Sequence, residues 1–361
     1  MRYITEYRDK EKVDALAFEI RRTAGDADMT FMEVCGTHTM AIARFNLRSL
    51  LPDGIRLISG PGCPVCVTPN SYLDHAVALS RRPNTTICTF GDMIRVPGSS
   101  TSLEKEHAAG RDIRVVASTL DALAIARKSR NRDVVFLGIG FETTAPTIAS
   151  SILSAKAEGI ENYSILCTNK IVPPALSALL EGPARLDGFL LPGHVSTIIG
   201  AGAYREIANK SRKAGVIAGF EPTDILEGLL ELVRRTADGS GGLHTSYSRA
   251  VSEEGNPKAL SVMREVFEPC DASWRGLGQI PGSGLSMRES FAEFDAARRF
   301  SVEIEPEVEP AGCRCGEILT GEISPDECPL FGSACTTEHP IGACMVSSEG
   351  TCAARYRYRD T

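Results

Sequence analysis

The sequence predicts an α/β protein in which two parallel-sheet domains precede a mainly helical, cysteine-rich region. Three observations carry that prediction. Short, nearly continuous apolar runs alternate with helical periodicity between about residues 55 and 220, as expected for strands buried on both faces by crossover helices. After Phe220 strands become scarce and amphipathic helical patterns take over. Finally, six of the twelve cysteines fall in the last 49 residues, a density that scattered core cysteines would not produce.

Val13, Leu16, Ala17 and Ile20 share one helical face, and Arg21, Arg22 and Gly25 follow in the order that ends a helix. This opening helix is expected to pack on a later domain. The strand candidates are IRLISG (55–60), TTICTFG (85–91), IRVVAS (113–118), VVFLGIG (134–140), YSILCTN (163–169), GFLLPG (188–193) and GVIAGF (215–220). They divide into consecutive α/β units of 26–135 and 136–220. Ile225, Leu229, Leu232 and Val233 form one later apolar helix face, and Leu260, Met263 and Phe267 another. The polar, Gly/Ser-rich stretch 237–258 reads as a loop. Residues 1–25 and 221–361 together make the third domain.

With 361 residues, 43% of them hydrophobic and 24% charged, the chain has the composition of a soluble globular protein. A formal net charge of -7 leaves no basic field for a phosphate backbone, which argues against a nucleic-acid partner. The N-terminus lacks a signal-peptide apolar segment, and no apolar run reaches the roughly 20 residues needed to span a bilayer. A cytoplasmic location and no membrane partner are expected. There, thiols stay reduced, so the cysteines point to metal or redox use rather than structural disulfides.

Cys313, Cys315, Cys328, Cys335, Cys344 and Cys352 make up the C-terminal group. Thiolates in fours select zinc or an iron-sulfur cluster, and the absence of paired C-x2-C knuckles favours a cluster. Cys313, Cys328, Cys335 and Cys352, spaced C-x14-C-x6-C-x16-C, are one four-ligand choice, with Cys315 and Cys344 as competitors. Structural zinc or plain buried thiols are the other readings.

Cys63 and Cys66 form a C-x-x-C directly after the strand IRLISG, a spacing that suits a dithiol-disulfide pair or half of a zinc site. Pro61 and Pro64 should stiffen this loop and leave its thiols near the surface. In MEVCGTHTM, Cys35 and His38 can share a metal, or His38 can stabilise a Cys35 thiolate; a plain buried cysteine is the alternative. Two more strand-end loops, GFETTAPT (140–147) and PGHVSTIIG (192–200), offer Glu142, Thr143, Thr144 and His194 for proton transfer or ligand orientation. Against this, either threonine suits a helix N-cap, and His194 alone suits a core histidine. Cys88, Cys167 and Cys270 read as structural.

Taken in order along nearly the whole chain, MEVCGTHTM, GPGCPVCVTP, GFETTAPT, PGHVSTIIG and CRCGEIL…ECPLFGSAC…CMVSSEGTCAA closely resemble the HypD family of hydrogenase maturation factors. The resemblance implies two Rossmann-like parallel-sheet domains plus a mainly helical, cysteine-rich domain carrying a [4Fe-4S] cluster. It also implies a redox-active scaffold, rather than a conventional turnover enzyme, on which the Fe(CN)2CO fragment of [NiFe]-hydrogenase is assembled. Cys35 would hold the iron beside His38, and Cys63 with Cys66 would exchange electrons with a cluster on Cys313, Cys328, Cys335 and Cys352. Glu142, Thr143, Thr144 and His194 would line the cleft. The implied partners are a HypC-type small chaperone, a HypE-type cyanide donor and, through the chaperone, the hydrogenase large subunit. A cluster-linked thiol-disulfide oxidoreductase is the alternative function.

Overall fold

The computed structural model describes residues 5–182 and 184–359. Two open parallel sheets form its body. The first has the order β2-β1-β7-β8-β9, with β1 Met29–Glu33, β2 Ile55–Ser59, β7 Gly188–Pro192, β8 Ala214–Ala218 and β9 Gly242–Thr245. Order in the second is β4-β3-β5-β6, with β3 Thr85–Thr89, β4 Ile113–Val115, β5 Asp133–Gly138 and β6 Tyr163–Cys167. Every pairing in both sheets is parallel. The alternating pattern of short apolar strands and helices thus produces the α/β class expected of it.

The division of strands between the sheets differs from the consecutive one. The second sheet is inserted whole between β2 and β7, and residue 135 falls inside β5. Periodicity marks strands but not their partners, and only pairing reveals that the first sheet is built from two separated stretches. Four strands also escaped the pattern. β1 carries a buried Glu33 within its apolar run, β9 lies inside the stretch expected to be a loop, and β10 (Phe267–Trp274) pairs antiparallel with β11 (Gly278–Met287). β9 is polar because it is an edge strand; its four residues are all partly exposed, so no apolar signature was required.

Helix Lys10–Ala24 is capped by Asp9, whose carboxylate accepts from the Glu11 N–H, and ends at Gly25, φ 55°. Its Ile20 and Ala24 are buried with Phe31 of β1 and with Leu229 and Val233 of helix Pro222–Ala237. The opening helix therefore completes the first sheet's core instead of joining the C-terminal region. That region is built from short helices, Cys315–Leu319, Ala343–Val346 and Thr351–Arg357, linked by turns. Among the described residues no helix is long and apolar enough to cross a membrane.

Candidate metal and thiol site

In an open parallel sheet, ligands bind beyond the carboxyl ends of the strands, where the strand order reverses. The first sheet runs from β1 outward to β2 and then restarts at β7 on the other side of β1, so its reversal lies between β1 and β7. Cys35 follows β1 and His194 follows β7. The Cys63–Cys66 loop follows β2, and Gly219 and Phe220 follow β8. One edge of one sheet thus gathers three of the motifs.

Cys35 is buried at the N-cap of helix Gly36–Arg44. Its neighbour Gly36 donates its N–H to the Gly62 carbonyl at 3.0 Å, which fixes Cys35 one peptide away from the dithiol loop. A Cβ on Gly62 would lie 2.4 Å from the Cys35 backbone nitrogen. Gly62→Ala is therefore expected to destabilise the fold by about 1–3 kcal/mol, read as a lower urea midpoint at unchanged slope.

Burial, with Glu349 adding to it, pushes the Cys35 thiol up to about 12, although the backbone N–H groups of His38 and Thr37 act the other way. Burial also lowers His38 to about 4. Without metal, then, the pair is a thiol beside a neutral imidazole, not the thiolate stabilised by histidine that the sequence allowed. His38 Nε2 donates to the Gly219 carbonyl at 2.8 Å, which leaves Nδ1 as a lone pair, and that atom is buried with no partner. A soft thiol and an unused imidazole nitrogen three residues apart fit the donor set of an iron. Binding would release the Cys35 proton.

The Phe220 ring contacts both imidazoles, at 4.7 Å from His38 and 3.8 Å from His194 between centroids. His194 is exposed rather than a core residue, because its ring covers Phe220 from the solvent side. Glu33 is fully buried below Cys35; it accepts from the Thr39 hydroxyl at 2.6 Å and the Cys35 N–H at 3.4 Å. Burial nonetheless raises its carboxyl to about 7.

Cys63 and Cys66 are joined as a disulfide with 5.2 Å between their Cα atoms. Both are buried, at 3% and 0% exposure, not surface thiols as the proline-rich loop suggested. The cover comes from the C-terminal region: Cys66 Sγ lies 4.0 Å from the Ala343 carbonyl, next to Cys344. Glu349 of the same region accepts from the Thr37 hydroxyl at 2.7 Å. Arg95, beyond β3 of the second sheet, donates to the carbonyls of Thr337 and Val346 at 3.3 and 3.4 Å. The cysteine-rich region is thereby clamped between the carboxyl ends of the two sheets.

All six C-terminal cysteines line one cavity, together with Ile318, Leu330, Phe331 and Met345. Cys315 and Cys344 share it with the four of the C-x14-C-x6-C-x16-C spacing, and their sulfurs are 2.7 Å apart. Hydrogen bonds from Cys313 and Cys344 hold Cys315 well below the usual thiol range. The Cys335 sulfur accepts from the Ile341 N–H at 3.3 Å. Convergent thiols in an apolar wall suit an iron-sulfur cluster. Among the described residues no group of three or more His, Cys, Asp or Glu is arranged around a single metal ion.

Glu142, after β5, sits on the second sheet. One carboxylate oxygen accepts from the Val172 N–H at 2.9 Å, while Oε2 is buried without a partner. Phe141, next to Glu142, and the buried Tyr204 belong to the same apolar core as Val34, Cys63 and Cys66, which places this loop on the same interior as the first sheet's edge. Thr144 occupies the N-cap position of helix Ala145–Ala157 without capping it; its hydroxyl donates to the Phe141 carbonyl at 3.1 Å. Thr143 is exposed.

Burial raises Glu142 to about 7 from an ordinary 4.5. Below pH 4.5 the folded and unfolded chains are both protonated there, and the residue adds no pH dependence. Between about 4.5 and 7 the folded chain binds more proton, so stability falls as pH rises. Glu142→Gln should remove about 3 kcal/mol of that decline. Urea unfolding should show the variant gaining on the parent at pH 8 and matching its pH dependence below pH 4.5.

Sequence reasoning missed Glu33, Tyr204, Phe220 and Glu349. Only Glu33, a charge inside an apolar run, and Phe220, closing the strand GVIAGF, left a readable trace.

Fold and site together define an α/β thiol protein with a cysteine-lined pocket docked on a disulfide loop. A family model described as HypD, "Hydrogenase formation hypA family", matches residues 11–359. The hydrogenase maturation factor HypD of Rhizobium leguminosarum bv. viciae is 46% identical over 99% of this chain and 96% of its own. Those of Azotobacter vinelandii and Escherichia coli K12 are 46% and 43% identical, covering 99% of this chain and 97% and 98% of theirs. The chain belongs to the HypD family of hydrogenase maturation factors.

Proposed function

We propose that this chain is the cytoplasmic scaffold on which an iron carrying two cyanides and one carbonyl is assembled for [NiFe]-hydrogenase. The observation that carries the reading is Cys35, placed at the reversal of the first sheet and one peptide from the Cys63–Cys66 disulfide. Cys35 and His38 Nδ1 supply a thiolate and an imidazole to the incoming iron, which is cargo rather than a resident metal. A HypC-type small chaperone meets the chain at this edge, a HypE-type protein brings cyanide as a thiocyanate, and the finished fragment leaves with the chaperone for the hydrogenase large subunit.

The reduced Cys63–Cys66 pair cleaves the S–CN bond. Two electrons leave the two thiols as their disulfide forms; one proton goes to the departing sulfur and one to cyanide, which releases it on binding iron. Cys313, Cys328, Cys335 and Cys352, which line one cavity, would hold a [4Fe-4S] cluster, a group whose chemistry is the single-electron transfer that restoring the dithiol requires. Glu142, with a carboxyl near neutrality and one oxygen free, accepts or returns a proton in the cleft. His194 and Phe220 cover the pocket, and Thr143 and Thr144 shape the loop that carries Glu142.

The test is an infrared spectrum of the chain purified anaerobically with its small chaperone. Cyanide and carbonyl stretches are expected. Their absence from a cluster-loaded complex that still matures hydrogenase would overturn the scaffold and leave the thiol-disulfide oxidoreductase.

A further inference from the structure

A buried arginine joins the two thiol centres. Arg275 lies in the turn between β10 and β11, with its side chain 3% exposed. Its backbone N–H donates to the Val67 carbonyl at 2.9 Å, and Nε donates to the Thr68 carbonyl at 3.0 Å. These are the first and second residues after Cys66. Nη2 donates to Asn70 Oδ1 at 2.6 Å, and Nη1 to the Glu309 carboxylate at 3.3 Å. On the other side of the same turn, a Cβ on Gly276 would lie 2.4 Å from the Gly316 Cα, so the turn rests directly on the residue after Cys315.

A guanidinium is charged at any working pH and offers a rigid fork of donors. Here the fork is occupied mostly by neutral acceptors, and its one carboxylate partner, Glu309, is 59% exposed and screened by water. The positive charge is therefore only partly neutralised in an interior where charge interactions are strong. The turn that carries it grips the dithiol loop on one side and rests on the cysteine pocket on the other.

We infer that Arg275 is a positioning residue for electron exchange: it holds the Cys63–Cys66 loop against the cysteine pocket, and its charge favours the reduced pair over the disulfide. The inference rests on the reading of Cys63 and Cys66 as a working dithiol. Reduction breaks the S–S bond and takes up two electrons and two protons. Where one of the two sulfurs keeps its charge, only one of those protons is taken up; that thiolate, which the disulfide lacks, is what a fixed cation stabilises selectively.

The test is a redox titration of the full, cluster-loaded chain with dithiothreitol, which becomes its cyclic disulfide as Cys63–Cys66 is reduced. Arg275→Met should lower the equilibrium constant for reduction at least tenfold, about 30 mV for this two-electron couple. Arg275→Lys, which keeps the charge, should stay within threefold of the parent. An unchanged constant in folded Arg275→Met, or a lysine variant as impaired as methionine, would overturn the role of the charge. Should Arg275→Met fail to fold, Glu309→Gln reads the same effect with opposite sign. Removing that exposed counter-charge should raise the constant about twofold to threefold, and no rise would refute the inference. The titration needs neither chaperone nor hydrogenase, so its outcome is independent of the infrared test of the scaffold.

Discussion

Cys35→Ala is expected to abolish the cyanide and carbonyl bands of the chaperone complex while leaving the cluster's visible absorption intact. The sulfur has no substitute nearby. Cys63 and Cys66 are tied to each other, and the remaining cysteines lie in the C-terminal pocket or on the second sheet and its hairpin. The substitution should be mild for the fold, because Cys35 makes no side-chain cap hydrogen bond and alanine keeps the backbone that packs on Gly62. Loss of the bands can therefore be assigned to iron attachment. Bands that persist at parental intensity would move the iron elsewhere, and a simultaneous loss of cluster absorption would mean that the substitution had broken the fold.

Cys328→Ser and Cys335→Ser are each expected to remove the cluster's absorption and loosen the whole C-terminal region. The reason lies in how little else holds it. Helices Cys315–Leu319, Ala343–Val346 and Thr351–Arg357 have 5, 4 and 7 residues, far below the length at which a helix persists by itself. Their shared cavity is walled by thiols as much as by apolar side chains. Binding free energy at such a site becomes folding free energy. A loss of about 3 kcal/mol, or roughly 6–12 °C in melting temperature, should accompany faster proteolysis after residue 300. Cys315→Ser and Cys344→Ser are expected to retain the absorption. If these two lose it and Cys328→Ser and Cys335→Ser keep it, the ligand set passes to the other pair.

Local pattern was sufficient for much of the site. Seven of the nine strands in the two sheets coincide with apolar runs, and the C-x-x-C, GFETT and His194 follow strands that the pattern marks, whereas Cys35 follows β1, which it does not mark. Where pattern fell short, the cause was environment. Glu33 sits at zero exposure in β1 because Thr39 and the Cys35 N–H satisfy it. The thiols of Cys63 and Cys66 are buried because residues from Ala343 onward cover them, 277 positions away in the chain.

The chain's own residue order thus determined that this is an α/β protein with thiols at strand ends and a cysteine-rich terminus, because side-chain period and residue chemistry are local properties. Only the tertiary structure decided that β1 pairs with β7, joining β2 and β1 to β7, β8 and β9 across an inserted sheet. It alone brought Cys35 and the disulfide within one peptide, pressed the cysteine pocket onto both, and put Arg275 between them. Those choices depend on which buried faces and backbone edges find each other, and several of the partners, such as Cys66 with Ala343 and Thr68 with Arg275, lie 277 and 207 residues apart.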